Sequence, residues 1–271
     1  GYPAYAGGAI LADARLETVS LESRNGFLLE MSDLPLDRLE CARLVFLNYP
    51  NNPTAAVAPL DFLQRTVGLC KSHRIALAYD NPYCEITYDG YVAPSVLEVS
   101  GARDVTVEFH SLSKSACMTG WRLGWAVGSA ELIALLSKVK SYVDAGPFLA
   151  VQQAGAKVLD SLESVVQPVR TCLAKRRDAA VEAFDRAGFK VDRPKAGMYL
   201  WLRVPARVPS SSFARDVLEH EGVAIMPGSA FGESCDEYVR IALTVAPERL
   251  IEAAERLGRA LAGLEAAGAS A

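Results

Sequence analysis

Ser111-Leu112-Ser113-Lys114, with Gly120-Trp121-Arg122 a few residues on, sets one lysine beside two hydroxyls and brings a guanidinium into the same stretch. A lysine amine can hold an aldehyde as a Schiff base, and serine hydroxyls with an arginine fork can grip a phosphate. An isolated lysine is ordinarily a solvated surface charge, because burying an ammonium is costly unless its proton is given up. Lys114 departs from that setting by following an apolar run and two serines directly. A lysine shifted toward the neutral amine is nucleophilic, and once free again it can move a substrate proton as a general base.

Asp80 ends another apolar run and precedes Asn81-Pro82-Tyr83, which by itself reads as a turn or a helix cap. In a ligand crevice its carboxylate could instead pair with a protonated pyridinium nitrogen, and Tyr83 could donate its hydroxyl to a ring oxygen. Asn48-Tyr49-Pro50-Asn51-Asn52-Pro53-Thr54 is built of ordinary turn residues. Its two prolines would nevertheless hold it rigid and let the Asn52 amide address the same oxygen with little entropy loss. Arg240 interrupts the apolar Tyr238-Val239-Arg240-Ile241-Ala242-Leu243. It could snorkel or pair with a structural acid, and the alternative is a bidentate clamp on a substrate α-carboxylate. Gly197 and Gly228 read as turn or close-approach positions. A Schiff-base lysine, a phosphate grip and a pyridinium partner together point to pyridoxal phosphate as cofactor.

The elements that must position these groups are short. Arg43 to Leu47, Ile75 to Tyr79, Val105 to Phe109 and Leu123 to Val127 are nearly continuous apolar runs, as expected of strands buried on both faces. Helical spacing across Pro59 to His73 makes the first two a β-α-β unit, which predicts an α/β fold with a mostly parallel sheet. Asn48 to Thr54, Asp80 to Tyr83 and His110 to Lys114 follow the first three runs. Open α/β sheets bind ligands beyond the carboxyl ends of their strands, so three polar clusters should meet in one crevice. Helices are expected over Leu132 to Val143, Leu149 to Leu162 and Val165 to Ala187. A strand at Met198 to Val204, a helix at Ser212 to Glu221, strands at Val223 to Ile225 and Tyr238 to Leu243, and a closing helix from Pro247 to about Leu264 with a fraying Ala/Gly tail complete the pattern. The expected division is a large cofactor-binding domain over residues 1–163 and a smaller α+β domain with its linking helix over 164–271.

Composition narrows the function classes. A formal charge of -4 on 271 residues, with 22% charged side chains, gives no basic field for nucleic acid, so a small-molecule substrate is the better expectation. The six cysteines show no CxxC pair and no metal-ligand spacing, and read as reduced, mostly buried thiols, Cys117 among them. His73, His110 and His220 form no catalytic pair along the sequence. No apolar run reaches the ~18 residues of a membrane span, and the expected location is the cytoplasm. The start at Gly1-Tyr2-Pro3, without methionine, reads as a loop entering a strand in a processed or N-terminally incomplete chain.

These motifs, in this order, resemble the class I/II aminotransferases, which are fold-type I pyridoxal phosphate enzymes. The resemblance rests on residues 48–54, Tyr79-Asp80-Asn81-Pro82-Tyr83, Ser111-Leu112-Ser113-Lys114 with Gly120-Trp121-Arg122, Lys195-Ala196-Gly197-Met198-Tyr199 and Tyr238-Val239-Arg240-Ile241. It implies a Schiff base at Lys114, Asp80 on the pyridine nitrogen, and Asn52 and Tyr83 on the ring oxygen. It further implies Ser111, Ser113 and Arg122 on the phosphate, Arg240 with Asn52 at the substrate carboxylate, and Tyr2 stacked on the ring. Phe109 to Arg122 and Lys140 to Gly146 are most similar to bacterial LL-diaminopimelate aminotransferases, although Ala116 and Cys117 depart from that subgroup's pattern. Alanine- and aspartate-type aminotransferases and carbon-sulfur lyases share much of the motif set. Members of the family carry roughly a hundred further N-terminal residues, more than half an average domain, and act as homodimers. The competing classes are an inactive fragment and a non-catalytic effector module, whose mark would be a basic helix-turn-helix ahead of Gly1.

Overall fold

The computed structural model describes residues 2–205 and 208–269, the side chains of 265–269 excepted. In chain order its elements are α1 (Pro3–Leu11), α2 (Leu36–Cys41), β1 (Leu44–Asn48), α3 (Leu60–His73), β2 (Ala76–Asp80), β3 (Thr106–Ser111), α4 (Leu112–Ser115) and β4 (Gly124–Gly128). There follow α5 (Ala130–Val143), α6 (Leu149–Asp160), α7 (Leu162–Arg186), β5 (Tyr199–Arg203), α8 (Ser210–Glu221), β6 (Met226–Pro227), β7 (Tyr238–Ala242) and α9 (Pro247–Ala269). Two compact units emerge from the packing. One comprises Leu21–Asn51 with Ala56–Arg170, and the other the described residues of Gly1–Ser20, Asn52–Ala55 and Thr171–Ala271. The chain passes from the first to the second inside α7, three residues beyond Pro168 in the same helix.

The first unit is an α/β layer. Its sheet runs β1-β2-β3-β4, with β1, β2 and β3 parallel and β4 antiparallel to β3. Parallel neighbours need a crossover, and α3 supplies it between β1 and β2. Phe62, Leu63, Thr66, Val67 and Cys70 recur at helical spacing and form the buried face of α3. Phe62, Leu63, Val67 and Cys70 belong to a core with Leu47, Tyr49, Leu77 and Tyr79, in which the Tyr49 and Phe62 rings meet edge to face at 5.6 Å. Lys71 and His73 lie in the last turn of α3, where positive charge suits the carbonyl end of the helix dipole.

The second unit carries an antiparallel sheet, β5-β7-β6. Leu200 and Leu202 of β5, Val239 and Ile241 of β7, Phe213 and Val217 of α8, and Leu250, Ala254 and Leu257 of α9 are all buried. Phe189 bridges Phe184 and Phe213, with ring centroids 5.9 and 6.3 Å away.

Four expectations change. Residues 3–11 are a helix rather than a loop entering a strand, because Pro3 stands at a first-turn position where its missing N–H costs nothing. The strand expected at Val223 to Ile225 is instead the two-residue β6 at Met226–Pro227, an edge strand, where a sheet tolerates proline. The cysteines are not mostly buried: Cys41, Cys117 and Cys172 are exposed, and only Cys70 is fully enclosed. α9 also runs on through the Ala/Gly tail as far as Ala269.

α5 buries no residue, and Leu135, Val139, Tyr142 and Val143 along it, with Phe148 and Leu149 where α6 begins, are all more than half exposed.

Phe62 is the deepest ring of the first core. Phe62→Ala should lower the unfolding free energy by about 3–5 kcal/mol, read from urea denaturation followed by circular dichroism.

Candidate functional site

Register brings the polar strand ends of the first unit level with one another. Asn48 lies opposite Asp80 and Asp80 opposite Phe109, and the Asn48 amide donates to the Asp80 carbonyl at 2.8 Å. Side chains alternate along a strand, so Asp80, Phe109 and Ser111 share one face of the sheet while Glu108 and His110 lie on the other. Ser111 ends β3 and caps α4, its Oγ accepting the Ser113 N–H at 3.1 Å. Leu112, fully buried, fixes the start of α4 through its N–H to the Leu123 carbonyl at 3.2 Å. Lys114 follows in the single turn of α4, half-buried.

The loop after α4 folds back on it. Thr119 donates its hydroxyl to the Ser113 carbonyl at 2.9 Å, and Arg122 donates Nη1 to the Thr119 carbonyl at 2.9 Å. Cys117 (φ 54°) and Arg122 (φ 53°) both take the left-handed conformation, at a cost on the order of 1 kcal/mol each. Among the described residues the Lys114 ammonium has no hydrogen-bond or ion-pair partner, and the remainder of the Arg122 fork is uncommitted. Ser111, Ser113 and Arg122 are thus drawn together by α4 and the loop that folds back on it, with donors of the Arg122 fork left over.

Behind this face lies a buried acid that the motif reading passed over. Glu108 is completely enclosed; its Oε1 accepts from Asn81 Nδ2 at 2.8 Å and from His110 Nε2 at 3.1 Å, and its Oε2 from Ser95 Oγ at 2.6 Å. Burial is the largest influence on this carboxyl and pushes it upward, but the hydrogen bonds from His110, Ser95 and Asn81 together outweigh it and leave Glu108 below its ordinary value of 4.5. The available signal was a single acid in the apolar run Val105-Thr106-Val107-Glu108-Phe109. His110 stacks on Trp125 at 5.1 Å, and its Nδ1 lies 3.7 Å from Cys84 Sγ. Burial pushes the Cys84 thiol up to about 12, which excludes it as a nucleophile near neutrality.

The second unit holds the other charged group of interest. Arg240 on β7 donates Nη1 to Asn52 Oδ1 at 2.9 Å, and its guanidinium carbon lies 4.4 Å from the centre of the Tyr199 ring and 5.0 Å from that of Phe231. Its Nε is buried without a hydrogen-bond partner, and no carboxylate pairs with it among the described residues. Asn52 and Arg240, 188 positions apart, are thus brought together. Tyr199 and Phe231 were not foreseen as partners of Arg240. Gly197 has φ +82°, open chiefly to glycine, and a side chain at Gly228 would collide with the Cys235 and Tyr238 carbonyls. Tyr2 belongs to this unit too, more than half exposed and edge-on to Tyr5 at 6.1 Å.

The profile of the family "Aminotransferase class I and II" matches residues 1–257. Among curated relatives, the LL-diaminopimelate aminotransferase of Moorella thermoacetica is 46% identical over 98% of this chain and 68% of its own length. The enzyme of the same name from Desulforudis audaxviator is 45% identical over 95% and 66%. The chain thus spans about two thirds of the length of these relatives. A solved structure, the probable N-succinyldiaminopimelate aminotransferase of Thermus thermophilus, superposes with a TM-score of 0.90 at 37% identity, covering 96% of this chain and 69% of that one.

Two outcomes follow from the site's electrostatics. A maleimide at pH 7 should label Cys41, Cys117 and Cys172 and spare Cys70 and Cys84, as peptide mass spectrometry would show. Glu108 titrates lower in the folded chain, so its contribution is fully present above 4.5 and is lost as the pH falls through the depressed value. Wild type should therefore exceed Glu108→Gln in unfolding free energy by on the order of 1–2 kcal/mol at pH 7, and by less at pH 3.

Proposed function

The chain belongs to the class I and II aminotransferases, whose cofactor is pyridoxal 5'-phosphate, and on that footing we propose that it moves an amino group from an amino acid to a 2-oxo acid in two half-reactions with ping-pong kinetics. The amino donor proposed is LL-diaminopimelate and the acceptor 2-oxoglutarate. The relatives bearing that donor's name, at 46 and 45% identity, support this choice over alanine- or aspartate-type donors.

The observation that carries the reading is a half-buried lysine without a partner among the described residues, set one turn after Ser111, with an arginine that has donors to spare tied through Thr119 to the same turn. Bound pyridoxal phosphate supplies an aldehyde for an amine and a ring that takes up electrons as the substrate Cα–H bond breaks. In this proposal Lys114 holds the aldehyde carbon and, once displaced by substrate, carries the proton at Cα. Asp80 holds the proton on the ring nitrogen, and Tyr83 and Asn52 donate to the ring oxygen. Ser111, Ser113 and Arg122 bind the phosphate, and Tyr2 stacks on the ring. Arg240, steadied by Asn52 and without an acid partner among the described residues, grips the substrate α-carboxylate with a donor to spare.

The functional division proposed places cofactor binding chiefly in the large domain, within 1–163, and carboxylate recognition by Arg240 in the small domain, within 164–271. The exposed apolar residues of α5 and α6 support a homodimer contact. Six free cysteines suit the reducing cytoplasm.

Borohydride reduction after incubation with pyridoxal phosphate should leave the pyridoxyl mass on the Lys114 peptide, and Lys114→Ala should abolish it. Retention unchanged in Lys114→Ala would refute the assignment. Arg240→Gln should lower kcat/KM by roughly 30- to 160-fold, corresponding to ~2–3 kcal/mol of charged hydrogen bonding, with cofactor retention little altered. A donor panel of LL-diaminopimelate, alanine and aspartate with 2-oxoglutarate should favour the first. Release of pyruvate and a thiol from a thioether amino acid, with no transfer, would indicate a lyase instead.

A further inference from the structure

Glu108 is the one fully enclosed carboxylate in the strand that leads to Lys114, and the proposed reaction does not use it. Its three hydrogen-bond donors come from three separate segments: Ser95, Asn81 immediately after Asp80, and His110 immediately before Ser111. All three are donors to an acceptor-only group, so one anion satisfies them together. Asn81 is itself 1% exposed, and its amide nitrogen bonds to Glu108 while its Oδ1 has no partner among the described residues. Without Glu108, the Asn81 side chain would retain no described bond, while the backbone bond from the Asn81 N–H to the Phe109 carbonyl at 2.8 Å would remain. The imidazole of His110, clamped between Glu108 and the Trp125 ring, transmits the same anchor to the head of α4.

Alternation along β3 puts Glu108 and His110 on the face opposite Phe109 and Ser111, so Glu108 can act on the candidate cofactor groups only through its neighbours. We propose that Glu108 is a positioning residue whose carboxylate locks the Asp80–Tyr83 turn and the His110–Lys114 segment to one another. On the reading given under Proposed function, on which this inference rests for its catalytic meaning, the lock sets the spacing between the groups for the pyridine ring and the lysine for the aldehyde. Charge-assisted bonds make it stiffer than a neutral network of the same shape.

The test compares amide hydrogen exchange in wild type, Glu108→Met, which keeps volume and removes every acceptor, and Glu108→Gln, which keeps one oxygen. In Glu108→Met, exchange at Asn81 and Tyr83 and at Leu112 and Ser113 should accelerate at least about tenfold more than in α3, with Glu108→Gln restoring most of the protection. Half-saturation with pyridoxal phosphate, measured by borohydride trapping, should rise by a similar factor in Glu108→Met. Acceleration in α3 equal to that in the two segments, acceleration in only one of them, or unchanged half-saturation alongside faster exchange would each overturn the proposal. Should Glu108→Met fail to fold, Asn81→Ala decides: faster exchange confined to residues 81–83 supports the lock, and a change spread evenly to α3 refutes it. If wild type itself takes up no pyridoxal phosphate, the aminotransferase reading fails while the exchange comparison still judges the lock.

Discussion

Because β2 is hydrogen-bonded to a parallel neighbour on each side, its carboxyl end cannot slip by one residue without turning Asp80 to the opposite face of the sheet. The placement of the strand-end groups of the first unit depends on that two-sided pairing. It levels Asn48, Asp80 and Phe109 across three strands and puts Asp80 and Ser111 on one face. The hydrophobic pattern enforces the same register from below, since Leu77 and Tyr79 must point into the core formed with α3. Backbone pairing and side-chain burial therefore select one arrangement, and the position of the strand-end groups follows from it.

The charged groups of this protein fall into two physical kinds. Glu108 is saturated: three donors surround it, and the gain from them exceeds the penalty of enclosure. Arg177 in the second unit is similar, 1% exposed and bonded to Asp178 and the Pro194 carbonyl. Lys114 and Arg240 are the opposite kind, with capacity left over: one carries no partner among the described residues, the other only an amide and two aromatic rings. Evolution of a scaffold favours saturation, because an unmade bond in the interior is costly. Unfilled bonding capacity at Lys114 and Arg240 is what the proposed function draws on, with the aldehyde at the amine and the carboxylate at the guanidinium.

Much of this was legible in the chain. The four strands of the first sheet fall within one or two residues of the apolar runs, and α3 starts one residue from its expected position, because short buried strands and amphipathic helices carry strong periodic signals. The glycine positions were legible too, Gly197 at positive φ and Gly228 against two carbonyls. The helix at residues 3–11 was misjudged because small residues and glycines there blur the period, and β6 because a two-residue edge strand is too short to show one.

By itself the sequence determined the residue types and their order: the lysine among serines, the arginine after it, the aspartate closing a strand, and the arginine alone in an apolar run. Those are local properties, set by covalent spacing and by which side chains can be buried. Only the tertiary structure decided which groups were already satisfied. That Asn52 bonds Arg240 across 188 positions, that Tyr199 and Phe231 flank the guanidinium, and that Glu108 ties Asn81 to His110 depend on pairing between distant segments. Hydrogen bonds are fixed to within a few tenths of an ångström, and only the folded register sets distances that finely.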